Sequence, residues 1–307
     1  MSKIWRGLKA LFSPPPPKLS QKTIDAYRSS LLLSTYELAR RKGAQPTQEE
    51  ADAIIKSVQD WSFETMSAFA QAEINRQILS MFQALEEHRK ALDGGGASSG
   101  YVNAVGFELE RRQSGIRGAG QGVYLRIPPN LPQLLPAGTV LSLFPGQVHL
   151  PEYTTKRDYV KSTLLPDPEM MCVVRVDEPT IIDGRTAHLC PPNPYALAHL
   201  VNHCNTAPPN VLQQVYNFAG DPLDLDPHAF PRALRKFVPN AYARKPTLLG
   251  TTDRSAWMHG QVLLAARPLQ DGDELVMDYR LSPSAAQLPE WYRHYDAEQA
   301  DNRWKES

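Results

Sequence analysis

The chain has 307 residues, and its 33 lysines and arginines are balanced by 33 aspartates and glutamates, so no global field draws it to nucleic acid or an anionic membrane. An apolar fraction of 42% and a charged fraction of 21% suit a globular protein with one large domain or two modest ones. Cys172, Cys190 and Cys204 are odd in number and lack Cys-x-x-Cys spacing, which argues against a disulfide scaffold or an ordinary zinc site and for a reducing compartment.

Residues 1–18 are expected to form a basic amphipathic tail and a polyproline spacer. Lys3, Arg6 and Lys9 accompany Ile4, Trp5, Leu8, Leu11 and Phe12 at helical spacing, without an acid, before Pro14 to Pro17. Such a tail reads as a frayed terminus docked on its own protein, as weak membrane-surface contact by residues 1–12, as a mitochondrial presequence, or as a contact for anionic partners. No apolar run approaches the roughly 18 residues of a transmembrane span.

From 19 to 93 the pattern is helical. Ile24, Tyr27, Leu31 and Leu38 mark one stripe with Gly43 as its stop, and Thr47-Gln48-Glu49-Glu50 reads as a capping box. In a third helix Phe69, Ile74, Ile78, Met81, Phe82 and Leu85 recur at threes and fours. These helices either pack on the C-terminal part of the chain or hold a partner. Residues 94–103, opening with Gly94-Gly95-Gly96, read as a flexible linker.

Residues 104–281 turn to short β runs punctuated by Gly and Pro: 122–127, 139–143, 171–176, 180–182 and 261–265. That spacing implies a β-rich domain. An inserted excursion is expected at 220–260, with a helix from Phe230 to Phe237, and the polar tail 282–307 carries enough aromatics, Trp291, Tyr292, Tyr295 and Trp304, to fold back onto something.

Three stretches hold residue types with chemical potential. Gly118, Gly120 and Gly122 precede a strand rather than a helix, and Val123 takes the place of a further glycine, so a dinucleotide loop is disfavoured; a plain hairpin or a tight turn approaching a ligand both remain. In Asn202-His203-Cys204, strand neighbours point to opposite faces, so His203 and Cys204 do not form a dyad, and a buried hydrogen-bonded histidine is the default. Asp271-Gly272-Asp273 leads through Glu274-Leu275-Val276-Met277 to Asp278-Tyr279, by itself a hairpin with a solvated acidic corner. Glu274 and Asp278 on an extended strand would lie about 13 Å apart, too wide for a glycosidase pair.

Taken together and in this order, Gly118 to Val123, Ala198 to His203 and Asp273 to Tyr279 resemble the three motifs of the SET-domain protein-lysine methyltransferases. Phe144 to Gly146, Ile182-Asp183-Gly184, Val238 to Asn240 and the N-terminal helices resemble one subgroup of that family. The resemblance implies an α+β fold: a β-rich, pseudoknotted SET domain (a β-clip) preceded by a helical region. It implies S-adenosyl-L-methionine bound by Gly118, Gly120, Gln121, Gly122, Asn202, His203 and Tyr279, with Tyr279 as the catalytic residue and Phe144 and Tyr279 in the substrate channel. No metal is implied. The substrate would be a lysine on another protein in nucleus or cytoplasm, with no direct nucleic-acid contact, and the helices could hold a protein partner. The alternative is a catalytically weak SET-fold binding module. Phe144 stands where many members place a channel tyrosine, His199 where arginine is usual and Cys204 where serine is common.

Overall fold

The computed structural model describes residues 20–93, 100–156, 159, 173–177, 180–220, 229–244, 256–283, 288 and 290–305. The basic tail at 1–18 and most of the Gly-rich linker lie outside the described residues. Helix α1 (Gln21–Lys42) opens on Ser20, whose hydroxyl accepts from the Thr23 amide at 3.2 Å, and stops at Gly43 in the left-handed region, φ 66°. Helix α2 (Gln48–Gln59) carries the expected capping box: the Glu50 amide donates to Thr47 Oγ1, and the Thr47 amide to the Glu50 carboxylate at 2.8 Å. Helix α3 (Phe63–Asp93) is the longest, and the short α4 (Gly100–Val105) comes after it.

The strands come next: β1 (Glu108–Gln113), β2 (Gln121–Arg126), β3 (Leu134–Leu135), β4 (Val140–Leu143) and β5 (Gly146–His149), then helix α5 (Pro151–Thr154). After it lie β6 (Val173–Asp177), β7 (Thr180–Asp183), β8 (Asn202–His203), β9 (Val211–Ala219), β10 (Asn240–Tyr242), β11 (Ala256–Ala265), β12 (Leu269–Gln270) and β13 (Val276–Met277). Helix α6 (Ala297–Lys305) lies in the tail. Among the described residues these strands make five small sheets, in the orders β1-β2, β10-β5-β7-β6, β4-β11-β9, β12-β3 and β13-β8. The fold is thus a mixture of helix and strand. None of the described helices is long and apolar enough to cross a membrane.

Helices and strands share one apolar core. Leu33, Ile74, Ile78 and Phe82 are at most 1% exposed and cluster with Leu141, Phe230, Val262 and Leu264. The Gly-rich stretch is therefore no boundary in packing. Polar groups on α3 reach the sheet backbone instead of water: Gln77 accepts from the Val140 amide at 2.7 Å and donates to the Gly138 carbonyl at 3.1 Å. Asn75 accepts from the Tyr216 hydroxyl at 2.5 Å, and Gln71 from the Asn217 amide at 3.1 Å. Gly138, at φ 82°, lies so close to α1 that a Cβ would strike the Leu32 backbone.

Three expectations need correction. The excursion is shorter than 220–260, because Ala256 to Gly260 already belong to β11, whose register with β9 runs from Ala256–Ala219 to Ala265–Val211. The helix expected from Phe230 to Phe237 is a 3-10 turn over Arg232–Phe237; Pro231 at its N-cap and Pro239 just beyond leave no length for an α-helix. The stretch ending at Asp278-Tyr279, which by itself reads as a hairpin, is not one, since β13 lies parallel to β8.

Candidate functional site

The site begins in the turn between β1 and β2. The Ser114 amide donates to the Gly120 carbonyl at 2.8 Å and the Ala119 amide to Ile116 at 3.1 Å, folding the chain tightly. Gly118 and Gly120 have φ of 81° and 70°, a region that side chains resist, and open space lies where their Cβ atoms would be. Gly122 is a glycine for another reason: a Cβ there would run into the Glu274 carboxylate and lie 3.2 Å from Asn202 Nδ2.

The segment from Asp273 to Met277 is sewn along both edges. On one side the Leu125 amide donates to the Asp273 carbonyl at 2.9 Å and the Leu275 amide to Val123 at 2.8 Å. On the other, Val276 and Met277 pair with Asn202 and His203, and the amides of Cys204 and Asn210 donate to Met277 and Val276 at 2.9 and 3.0 Å. Asn210 adds a second clamp through its side chain, which donates to the Glu274 carbonyl at 2.7 Å and accepts from the Val276 amide at 2.8 Å. Both ends of the 204–210 loop are thereby fixed to this segment.

These ladders bring most of the expected residues together. Asn202 Nδ2 donates to the Gln121 carbonyl at 3.0 Å and lies 3.4 Å from the Glu274 carboxylate. Tyr279 donates its hydroxyl to the Val201 carbonyl at 3.0 Å, and its amide donates to His203 Nδ1 at 3.2 Å. His203 Nδ1 is therefore an acceptor, and Nε2 carries the proton toward the Arg293 carbonyl at 2.8 Å. Burial lowers the His203 pKa below the usual histidine value, against the opposing pull of the Arg293 carbonyl and Asp278. Phe144 is buried, its carbonyl accepting from Asn240 at 2.9 Å. Its ring meets that of His199, centroids 6.4 Å apart, one turn before Asn202. Among the described residues His199 Nδ1 is buried without a hydrogen-bond partner, and burial, with the Arg111 charge, drops its pKa to about 4.

Glu274, set aside at the sequence level as half of an unconvincing acid pair, anchors the turn. It accepts from the Ser114 hydroxyl at 2.5 Å, the Gly115 amide at 2.9 Å and the Tyr124 hydroxyl at 2.8 Å. Burial alone would raise its pKa, but these donors together outweigh that and lower it. An ionised carboxylate thus stands beside Asn202 and the glycine turn. Ser114, Tyr124 and Asn210 were equally invisible in the sequence, since their partners lie far along the chain.

The aromatic tail closes one side. Tyr292 stacks on His203, centroids 4.2 Å apart at 13°, and Trp291 meets Tyr279 edge-on at 6.1 Å. Asn205 pins the tail by donating to the Trp291 carbonyl at 3.0 Å and accepting from the Arg293 amide at 2.9 Å. Cys204 beneath is inert: burial, with Asp278 nearby, pushes its thiol up to about 12. Among the described residues no cluster of three His, Cys, Asp or Glu is placed to hold a metal.

No protein-family model matches the chain, and no curated protein matches it in sequence. Among solved structures it is similar to the crystal structure of KRYPTONITE in complex with mCHH DNA, an H3(1-15) peptide and SAH, at 18% identity and a TM-score of 0.32, over 60% of this chain and 25% of that one. The KRYPTONITE complex with mCHG DNA and SAH gives 17% identity and the same TM-score over 60% and 27% of the two chains. A structure described under the product specificity of histone lysine methyltransferases gives 16% and 0.32, over 61% and 55%. The chain thus spans a quarter to about half of these proteins' lengths, and a likeness of this size carries no argument about activity.

Proposed function

We propose that the chain is an S-adenosylmethionine-dependent protein-lysine N-methyltransferase of the SET-domain family, nearest to the subgroup of SET domain-containing protein 9. The observation that carries this reading is the convergence of three sequence-distant stretches, the 118–122 turn, Asn202-His203 and Glu274 to Tyr279, through the two hydrogen-bonded edges of one short segment. The bonding of both ends of the 204–210 loop to that segment supports a threaded, pseudoknotted path.

The residues present fit the donor molecule. Gly118 and Gly120 leave open space over their backbone, Asn202 offers a side-chain amide, and ionised Glu274 favours a cationic ligand nearby. When bound, S-adenosylmethionine supplies a methyl group on a sulfonium. Gly118 to Gly122, Asn202 and His203 would hold it. Because the Tyr279 hydroxyl spends its proton on Val201, its oxygen can only accept, so it is suited to take an N–H of a neutral lysine amine and aim the nitrogen lone pair. An amine with an ordinary pKa of about 10.4 must first lose its proton, and a neighbouring positive charge favours that loss. Trp291 and Phe144 would wall the approach from a protein substrate in nucleus or cytoplasm.

One observation favours a second reading, a binding module with little turnover. Tyr292 already stacks on His203, a residue the resemblance assigns to the donor. Calorimetric titration separates the two: S-adenosylmethionine binding that is lost in Asn202→Ala supports the enzyme, and no binding removes it. Labelled methyl transfer into cell extract should then fall by at least about 100-fold in Tyr279→Phe, as for other lost transition-state contacts. Deleting residues 288–307 should weaken donor binding, and an unchanged affinity would remove the tail from the pocket.

A further inference from the structure

At the far end of the same segment three guanidinium groups meet. Arg28 comes from α1, Arg280 directly follows Tyr279, and Arg303 comes from α6; with Asp278 and Tyr295 they line a cavity of about 20 Å³. Two carboxylates answer them. Asp25 takes Nη1 and Nη2 of Arg280 at 2.5 and 2.9 Å, and Asp278 takes Nη2 of Arg303 at 3.1 Å. Among the described residues, three positive groups therefore face two negative ones in a place with little solvent: Arg28 and the Arg303 side chain are each 8% exposed. Nη1 of Arg303 is buried with no hydrogen-bond partner among the described residues. Burial pushes the Arg28 pKa down; Asp25 and Tyr295 oppose it, while Arg280 and Arg303 add to it.

A buried cation without its counter-charge is among the most costly arrangements a fold can keep. We propose that this cavity binds a small monovalent inorganic anion of chloride size, held by Arg303 Nη1 and the Arg28 guanidinium between α1, the Asp278–Arg280 end of the segment and α6. The volume has room for a small sphere of water size, and guanidinium forks are the side chains best suited to an anion in a partly dry site. A water molecule would satisfy the orphaned N–H but leave the charge. The site also bears on Tyr279: Arg280 is held at φ 56°, outside the usual range for a side chain, and the anion would steady the charges that keep it there. This inference stands apart from the methyl-transfer reading.

Thermal unfolding of the full chain, with gluconate exchanged for chloride at fixed ionic strength, should show a saturating rise in Tm on the order of 2 °C. The rise should vanish in Arg303→Met and in Arg28→Met. Wild-type crystals soaked in bromide should carry an anomalous peak between Arg28 and Arg303, which keeps the test decisive should both variants fail to fold. A Tm indifferent to the exchange, an equal rise in a folded variant, or an ordered water with no anomalous peak overturns the proposal.

Discussion

Glu274 and Asp278 sit four residues apart on one segment, yet the chain treats them as opposites. Glu274 is held by neutral donors, two hydroxyls and a backbone amide from the first hairpin and, at 3.4 Å, the side-chain amide of Asn202. Asp278 is held by charge, through Arg303, and caps the Arg280 amide at 2.9 Å. One end is tied to the glycine turn and the other to the helical brace. Neutral donors fix direction and leave the acid its charge, whereas an ion pair spends that charge on holding elements together.

The largest expected effect comes from breaking the second arrangement. Asp278→Ala would leave the buried Arg303 guanidinium without its carboxylate and should cost about 3 kcal/mol in urea unfolding, against about 1 to 2 kcal/mol for Glu274→Ala, where the Ser114 hydroxyl loses its acceptor while the Gly115 amide and the Tyr124 hydroxyl keep a second one each; equal losses would erase the distinction. Acid offers a second test. His203 and His199 have pKa values depressed by burial, so the unfolded chain takes up protons that the folded one refuses. Stability should be complete above the ordinary histidine value of about 6.5 and fall as pH drops toward about 4, by roughly 2 to 3 kcal/mol from His199. His199→Leu should flatten that slope in pH-dependent unfolding curves. The smallest effect calibrates the others: Thr47→Ala removes an exposed cap far from both carboxylates and should cost about 1 kcal/mol, read by the same urea midpoints.

What the sequence makes legible is local. The capping box at Thr47 and the Gly43 stop involve neighbours a few residues apart, and so does the periodic stripe of α3. Strand β9 was missed because Val211 to Ala219 comes after Pro208-Pro209 and mixes Gln213 and Gln214 into its apolar positions, so it reads as the end of a loop; its pairing with β11 and the reach of Gln71 and Asn75 from α3 define it. Of the site, the glycines, Asn202, His203 and Tyr279 were visible as a resemblance. The anchoring by Glu274 was not, because its donors at Ser114, Gly115 and Tyr124 meet it only after β2 has taken Leu275 as a neighbour. Long-range hydrogen bonds leave no periodic trace.

The core common to α1, α3 and the sheets has a practical corollary for dissection. A fragment beginning at Gly100 would contain every residue of the candidate site and still offer to water the apolar surface that Leu33, Ile74, Ile78 and Phe82 now cover. Such a fragment should be sticky alone and become soluble when the helical half is supplied as a separate peptide, so the two halves behave as complementing parts and not as autonomous modules.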